Sequence, residues 1–514
     1  MPLVKYRIYE LSARAVISYG RQQDGTYTFH LSAAETEKCK SLSVPHEQDD
    51  NALFYQIMCV LHGDAFTGAP RRQLVTDLSD IIFYMDFSGI FDRSGARKKN
   101  LIRQEKAKSL FRPDGLDLDF GSGPHRYLAF ERSGSMSRQA RLSFIREDFY
   151  DAVRRRIMMD MTIGDCQLSK LYAYNGLMLS SGIRIDCIGI DRPHRVVVVG
   201  NPVRTPPPTE VITVEDDGTQ NSTRKYHRVE TMAAVEVTCF DGEGLISKEY
   251  ARLVDEKLCG KKVHTSFQIR MPYVKGMLHE VDFKDYLDRS GADTITDLWG
   301  VQHPIQKVDI ILTKSMFKGC GWLNESSMSW EDYWAVFRKY RHALYITNVS
   351  KEKPDKTTEL NYQFLNTVSL KADEFRPADL PDGWDHSPET DERNWLTKQT
   401  ELAYYNFCAN ESFRQNYFLE KFERVSWWER HQGKDQILAA VLKKNPRFIN
   451  EPVYAKRLEA EADKIAEQYA VGRLIVGGDN RYLSGDLLDF LNCLPVTKTG
   501  TSKKANTFIN FRWG

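Results

Sequence analysis

The sequence predicts an α+β protein whose β-dominated middle lies between a mixed N-terminal domain and a helical C-terminal region. Three observations support this. Between about 125 and 320, short apolar alternations recur, divided by Gly-, Pro- and Asp-rich turns. Their irregular spacing, with helical pieces inserted, points to a closed barrel with crossovers rather than a doubly wound sheet. From about 328 to 470 the apolar period becomes that of amphipathic helices. With 514 residues, 41% hydrophobic and 27% charged, the chain can fill several packed units and is too apolar for general disorder.

In chain order, residues 1–120 read as a mixed α/β domain, with Ile81, Phe83 and Met85 alternating against Tyr84 and Asp86 as in a strand. A basic run from Arg97 to Arg112 contains no Pro or Gly and reads as a helix that stops before Pro113. Residues 121–327 form the barrel domain. Its strands are expected at Arg126–Phe130, Arg141–Ile145, His194–Val199, Ala234–Cys239, Thr265–Met271 and Lys307–Leu312, with helical pieces at Ile157–Met161, Gln167–Leu179 and Lys248–Leu258. The polar stretch Asn201–Arg228, with Pro206–Pro208 and Asp216-Asp217-Gly218, is expected as a surface loop. Residues 328–470 form a helical connector, with Ser329 as a cap and helices around 359–370, 396–428, 435–444 and 454–469. The proline- and acid-bearing segment 373–394 reads as a linker. Residues 471–494 form a turn leading onward, and 495–514 read as a tail that would make a poor last strand.

The charges are balanced overall, at a net +1, but unevenly placed. Arg93, Arg97, Lys98, Lys99, Arg103, Lys106, Lys108 and Arg112 face a single acid, Glu105, and seven arginines lie between Arg132 and Arg156. Such runs are usually solvated faces; the alternative use is a polyanion surface. Apolar runs such as Val196–Val199 and Ile437–Leu442 are far below the ~20 residues of a membrane span. The N-terminus, broken by Lys5, Arg7 and Glu10, has no secretory signal, so a cytoplasmic location is expected. The nine cysteines form no CxxC pair and no Cys/His cluster with zinc spacing, so free thiols and no metal ligands are expected.

No GxxxxGK[ST], GxGxxG, HExxH or GxSxG element occurs. Ser315-Met316-Phe317-Lys318 matches SxxK and Lys498-Thr499-Gly500 matches KTG, a remote serine acyl-enzyme alternative that lacks its middle SxN element. Two acid pairs could serve Mg²⁺: Asp117 with Asp119, and Asp486 with Asp489 beside Asp479. Neither pair places three acids in one rigid turn. The plainer readings are a strand edge, and a turn that starts a helix at Asp486.

The stretch from Ala234 to Glu280 is more specific. A strand enters the turn Asp241-Gly242-Glu243-Gly244, a helix follows near Ser247, and a second strand leads through Phe267–Arg270 to Val274-Lys275-Gly276. The pattern FDGxGLIS, FQIR, VKG resembles the first catalytic barrel of the eukaryotic-type RNA-dependent RNA polymerases of RNA silencing. Their phage and bacterial relatives share the two double-psi β-barrels of cellular RNA polymerase. Further segments agree in order: Glu131–Arg138, Lys170–Leu177, Thr313–Lys318, Leu360–Leu365 and Asp479–Asp486. The resemblance covers roughly 125 to 490 and implies a double-psi β-barrel in the middle of the chain.

The resemblance implies template-directed RNA synthesis from nucleoside triphosphates on RNA or single-stranded DNA. It assigns catalytic cations to Lys275 and Lys318, with Arg270 on the same rim. Arg132, Arg138, Arg141, Arg97, Lys98 and Lys99 then become nucleic-acid contacts. The family's metal loop, aspartate-x-aspartate-glycine-aspartate, occurs nowhere in the chain. Mg²⁺ is therefore expected only with a second barrel, reached through a longer reading frame or brought by a second polypeptide. The competing class is a non-catalytic nucleic-acid-binding half-polymerase.

Overall fold

The computed structural model describes residues 5–13, 16, 28–30, 40–43, 49–63, 76–78, 80–87, 115–119, 123–130, 140–164, 171, 174, 181–186, 188–216, 226–258, 264–351, 357–359, 405, 409–423, 434–469, 475–477, 479, 481 and 484–498. The fold is mixed α and β. The chain divides into two compact units, Met1–Ser350 with Ser484–Gly514, and Lys351–Leu483.

The first unit holds two large sheets. The N-terminal one runs Thr28–His30, Leu116–Asp119, Pro124–Ala129, Arg141–Arg146, Ile82–Asp86, Lys5–Ser12, Lys40–Ser43, with Thr76–Asp77 also on Lys5–Ser12. Ile82, Phe83 and Met85 are buried while Tyr84 and Asp86 are half-buried, so the alternation expected here is present. One face packs Phe83 against Phe144 (5.1 Å, stacked) and Tyr127 (5.3 Å, edge-on).

Eight strands build the central sheet: Asp49–Asn51 (β1), Ser181–Ile185 (β2), Val196–Val199 (β3), Glu243–Ile246 (β4), Ser266–Met271 (β5), Val274–Glu280 (β6), Ile310–Thr313 (β7) and Leu344–Val349 (β8). Their order is β3-β7-β4-β6-β5-β8-β2-β1. The β3/β7 and β4/β6 pairs are parallel, whereas β4/β7, β5/β6 and β5/β8 are antiparallel. The parallel β4/β6 pair needs a crossover. Helix α1 (Lys248–Leu258) starts it, burying Tyr250, Ala251, Val254 and Leu258 on one stripe. β3, β4 and β7 are buried at every position, as expected for strands covered on both faces.

The helices Ala52–His62 and Glu147–Ile157 carry an apolar cluster that also takes Ile8, Ile82 and Ile145 from the N-terminal sheet and Ala343 and Tyr345 from the β8 side. A buried polar network lies beside it. His342 Nδ1 accepts from Gln56 Nε2 (3.3 Å), and its Nε2–H donates to the Arg156 carbonyl (3.0 Å). The Arg184 guanidinium is bound by Asp186, the Tyr345 hydroxyl and the Arg341 carbonyl, and lies 3.7 Å over the Tyr55 ring.

Several expectations are corrected. A helix was expected over Ile157–Met161, but the helix is Glu147–Ile157, and Met159 and Asp160 both take left-handed backbone that ends it. Asn201–Arg228 is no plain loop. Thr209–Asp216 and Tyr226–Ala233 pair as an antiparallel ribbon, since TEVITVED and YHRVETMA are β-branched enough to pair despite the prolines before them. Ala234–Cys239 is no strand beyond one bridge, Val237 to Arg204. Val496–Thr497 does form a short strand, on Thr294–Ile295. The expected helices at 97–112, 167–179 and 359–370 fall wholly or largely outside the described residues, and Glu359, the described residue of the last, ends a strand, Thr357–Glu359.

Helix α2 (Trp330–Lys339) begins with Ser329 in a capping box with Asp332, as its sequence indicates. Trp330 stacks on Tyr333 and Trp299, and Phe317 meets both Trp330 and Tyr333 edge-on. In the second unit, helices Glu411–Glu423, Lys434–Lys444 and Pro452–Tyr469 bury Phe418, Ala439, Leu442, Ile449 and Tyr454 together. Among the described residues no helix is long and apolar enough to cross a membrane.

Burial pushes the His342 imidazole down from 6.5 to about 3. A base depressed in the folded state stabilises the fold above its unfolded value, and that stability is lost as pH falls from about 6.5 toward 3. The unfolding free energy from urea titration is therefore expected to drop by on the order of 1 kcal/mol between pH 7.5 and 5.5. His342→Gln should flatten that dependence, and an equally steep profile in the variant would assign the loss to other groups.

Candidate functional site

The site lies where β7 ends, β4 begins and the β5/β6 hairpin turns. Its backbone is bound together by the Thr313–Lys318 segment. Thr313 donates its hydroxyl to the Glu243 carbonyl (2.7 Å), and Gly242 N–H donates to Ser315 Oγ (2.8 Å). Thr313 has only one proton, so the 3.0 Å contact between the two hydroxyls is Ser315 donating to Thr313. Ser315 N–H in turn donates to Asn201 Oδ1 (2.9 Å), tying in the chain that leaves β3. The serine of the SxxK match is thus engaged in closing the DGEG turn.

The same segment pairs with the hairpin tip. Val274 bridges Phe317, Lys275 N–H donates to the Met316 carbonyl (3.1 Å), and Lys318 N–H donates to the Tyr273 carbonyl (2.7 Å). These bonds bring the Lys275 and Lys318 backbones side by side. Arg270 is the direct cross-strand partner of Lys275 in the β5/β6 ladder. Lys275 is exposed, while Arg270 and Lys318 are half-buried. Lys314, exposed and bonded through its N–H to the Val199 carbonyl, adds another cation to the segment; sequence reasoning passed over it although it sits in the same TKSMFK element.

Two glycines allow this packing. A Cβ on Gly244 would lie 2.7 Å from Met316 Sδ and 2.5 Å from the Ile311 carbonyl oxygen. A Cβ on Gly276 would lie 2.7 Å from Met316 Cε and would run into the Gly242 carbonyl oxygen. The fully buried Met316 side chain takes the space those methyls would need.

Glu243 and several acids singled out in the sequence carry structural contacts, while Asp241 of the turn is exposed. Glu243 is buried, and burial pushes its carboxyl above the ordinary value against hydrogen bonds from Ser484 and the Gly485 backbone. Asp486 caps the helix Leu487–Asn492, and Asp489 pairs with Arg204. In the second unit Asp479 is held by Lys351 (2.9 Å) and Arg481 (2.5 Å). On the N-terminal sheet Asp117 pairs with Arg126. Among the described residues no group of three His, Cys, Asp or Glu could hold a metal, so those residues do not fit Mg²⁺.

The structure therefore brings Arg270, Lys275 and Lys318 together. Arg141 lies on the N-terminal sheet, where its guanidinium bonds Glu10 (3.0 Å). Arg97, Lys98, Lys99, Arg132 and Arg138 lie outside the described residues.

Three cations thus gather where the β5/β6 hairpin tip meets the Thr313–Lys318 segment. The RNA dependent RNA polymerase family model matches residues 99–370, more than half of the chain, and the chain belongs to that family. It is similar to a DNA-directed RNA polymerase, YonO, of Bacillus phage SPbeta, at 26% identity over 269 residues, 51% of this chain and 28% of that protein. It is also similar to the solved RNA dependent RNA polymerase QDE-1 from Thielavia terrestris, at 14% identity and a TM-score of 0.37, covering 91% of this chain and 40% of that one. The chain thus spans well under half the length of either relative.

Gly276→Ala is expected to destabilise the first unit by about 2–4 kcal/mol, since neither a backbone carbonyl nor a buried thioether can retreat without moving a strand. Urea unfolding of the variant checks this, and an unchanged midpoint would mean that Met316 is not confined as described.

Proposed function

We propose that this chain is the first-barrel part of a template-directed RNA polymerase, presenting Lys275 and Lys318 to the phosphates of an incoming nucleoside triphosphate. The observation that carries it is the hairpin tip: a cross-strand pair of cations, Arg270 and Lys275, beside a third, Lys318, fixed by two backbone hydrogen bonds. Cations held close together at one strand end can engage a polyanion through charge-assisted hydrogen bonds. Preorganised cations also stabilise the charge that develops as the chain's 3′-hydroxyl attacks the α-phosphate.

The double-psi form of the barrel belongs to this proposal. It is supported by the mixture of parallel and antiparallel neighbours in the central sheet and by the crossover that α1 begins between β4 and β6. The aspartate loop and its Mg²⁺ are assigned to another polypeptide segment, because the 514 residues contain no aspartate-x-aspartate-glycine-aspartate element. Template contacts, to RNA or single-stranded DNA, are assigned to Arg97, Lys98, Lys99, Arg132, Arg138 and Arg141. The absent acidic loop favours a second reading, a nucleic-acid-binding half that performs no synthesis.

The test is incorporation of labelled nucleotide on RNA and on single-stranded DNA by this chain joined to, or mixed with, a polypeptide bearing the aspartate loop. Synthesis supports the polymerase; tight template binding with no incorporation leaves the binding protein. In an active assembly Lys275→Ala is expected to slow nucleotide addition about 10²-fold with the melting temperature unchanged, and an unchanged rate would remove Lys275 from the site. Neutralising Arg97, Lys98 and Lys99 together should make the slope of log affinity against log salt shallower by about 2–3 for RNA. An unaltered slope would return that run to a solvated face.

A further inference from the structure

Tyr273 occupies a position at which its residue type is costly. Met271 pairs with Val274, so Pro272 and Tyr273 form a two-residue turn, and Tyr273 has φ of 59°. Proline suits the first central position, while the second, with positive φ, favours Gly or Asn, and a larger side chain there is strained. Backbone strain of this kind persists only where the surroundings over-determine it.

The surroundings do so from three directions. The Tyr273 side chain is buried, and its hydroxyl donates to the Met158 carbonyl (3.3 Å). That carbonyl belongs to the turn in which Met159 and Asp160 are both left-handed, a turn held in its own right by Lys339 and Tyr340 on Asp160 (2.6 Å each). The ring meets Trp322 edge-on at 5.3 Å and lies under Gly319, where a Cβ would come 3.0 Å from Tyr273 Cβ. The Tyr273 carbonyl accepts from Lys318 N–H at 2.7 Å, and Lys275 follows two residues later. The strained residue is therefore the one through which the two lysine-bearing segments are joined.

We propose that Tyr273 is a positioning residue, which fixes Lys275 and Lys318 at the one spacing that lets both grip the same polyphosphate. This rests on the reading that these two lysines meet the nucleotide phosphates. A glycine turn would relieve the strain but free the tip to rotate, and each lysine would then bind phosphate independently.

The test uses the 514-residue chain and inorganic tripolyphosphate, with ATP as a second probe, followed by calorimetric titration. In the parent, Lys275→Ala and Lys318→Ala should each weaken tripolyphosphate binding about 10-fold. Tyr273→Phe, which keeps the ring and removes only the hydroxyl, should weaken it about 3- to 10-fold with single-stranded RNA affinity unchanged. In the Tyr273→Phe background, Lys318→Ala should cost clearly less than in the parent, because the paired grip is already lost. A structural role alone would lower the melting temperature and leave both the affinity and this coupling intact, and that result overturns the proposal. If neither lysine variant alters tripolyphosphate affinity, the functional reading itself fails. If the lysines matter and Tyr273→Phe does not, only the role of Tyr273 fails. Tyr273→Asn, which suits the turn but lacks the ring, is a second variant expected to weaken binding like Tyr273→Phe while preserving the hairpin.

Discussion

The Met316 side chain occupies a volume that two other residues would need. It lies over Gly244 on β4 and Gly276 on β6, closer to each than a methyl group would permit. Because interiors pack near crystal density, a thioether can enter there only if both strands are bare at those positions. The glycines of the DGEG and VKG elements and the methionine of the SMFK element are thus one packing unit contributed by three distant pieces of chain. Removing any of the three would separate the β7 exit from the β4 entry and the hairpin tip.

Hydrogen bonding follows from that contact. With Met316 seated, Ser315 is within reach of the Gly242 amide and Thr313 of the Glu243 carbonyl, so the tight DGEG turn has its buried backbone groups satisfied. Met316 also offers its own carbonyl to Lys275. Charge is then sorted by burial. Glu243 is drawn inward onto Ser484, whereas Lys275 stays exposed beside Arg270.

The segment from Ser484 to Thr497 shows how far chain order and spatial order diverge. It follows the helical unit in sequence yet belongs to the first unit. Asp486 caps its helix, Phe490 meets Phe240 edge-on at 5.1 Å, and Val496 pairs with Ile295. Helix α2 and β8 likewise join the sheet, with β8 lying beside β5. The hydrophobic pattern announced the helices after Ser329 and Asp486, but it read Leu344–Val349 as part of a helical connector and Val496–Thr497 as tail, and it carried no sign of any neighbour.

Sequence alone determined the mixed α and β class, the strands β3, β5 and β7, the cap at Ser329, and the family, because each depends on residues close together in the chain or on short patterns repeated in order. The role of Asp486 at the start of its helix was legible for the same reason. Register, partner and strain were decided only by tertiary structure. The ribbon at Thr209–Ala233 hid behind its prolines, and the left-handed Tyr273 has no local signal, since Pro-Tyr reads as an ordinary turn until a carbonyl 115 residues away takes its hydroxyl. Such features arise from contacts between remote segments, whose free energy appears only once the chain has closed on itself.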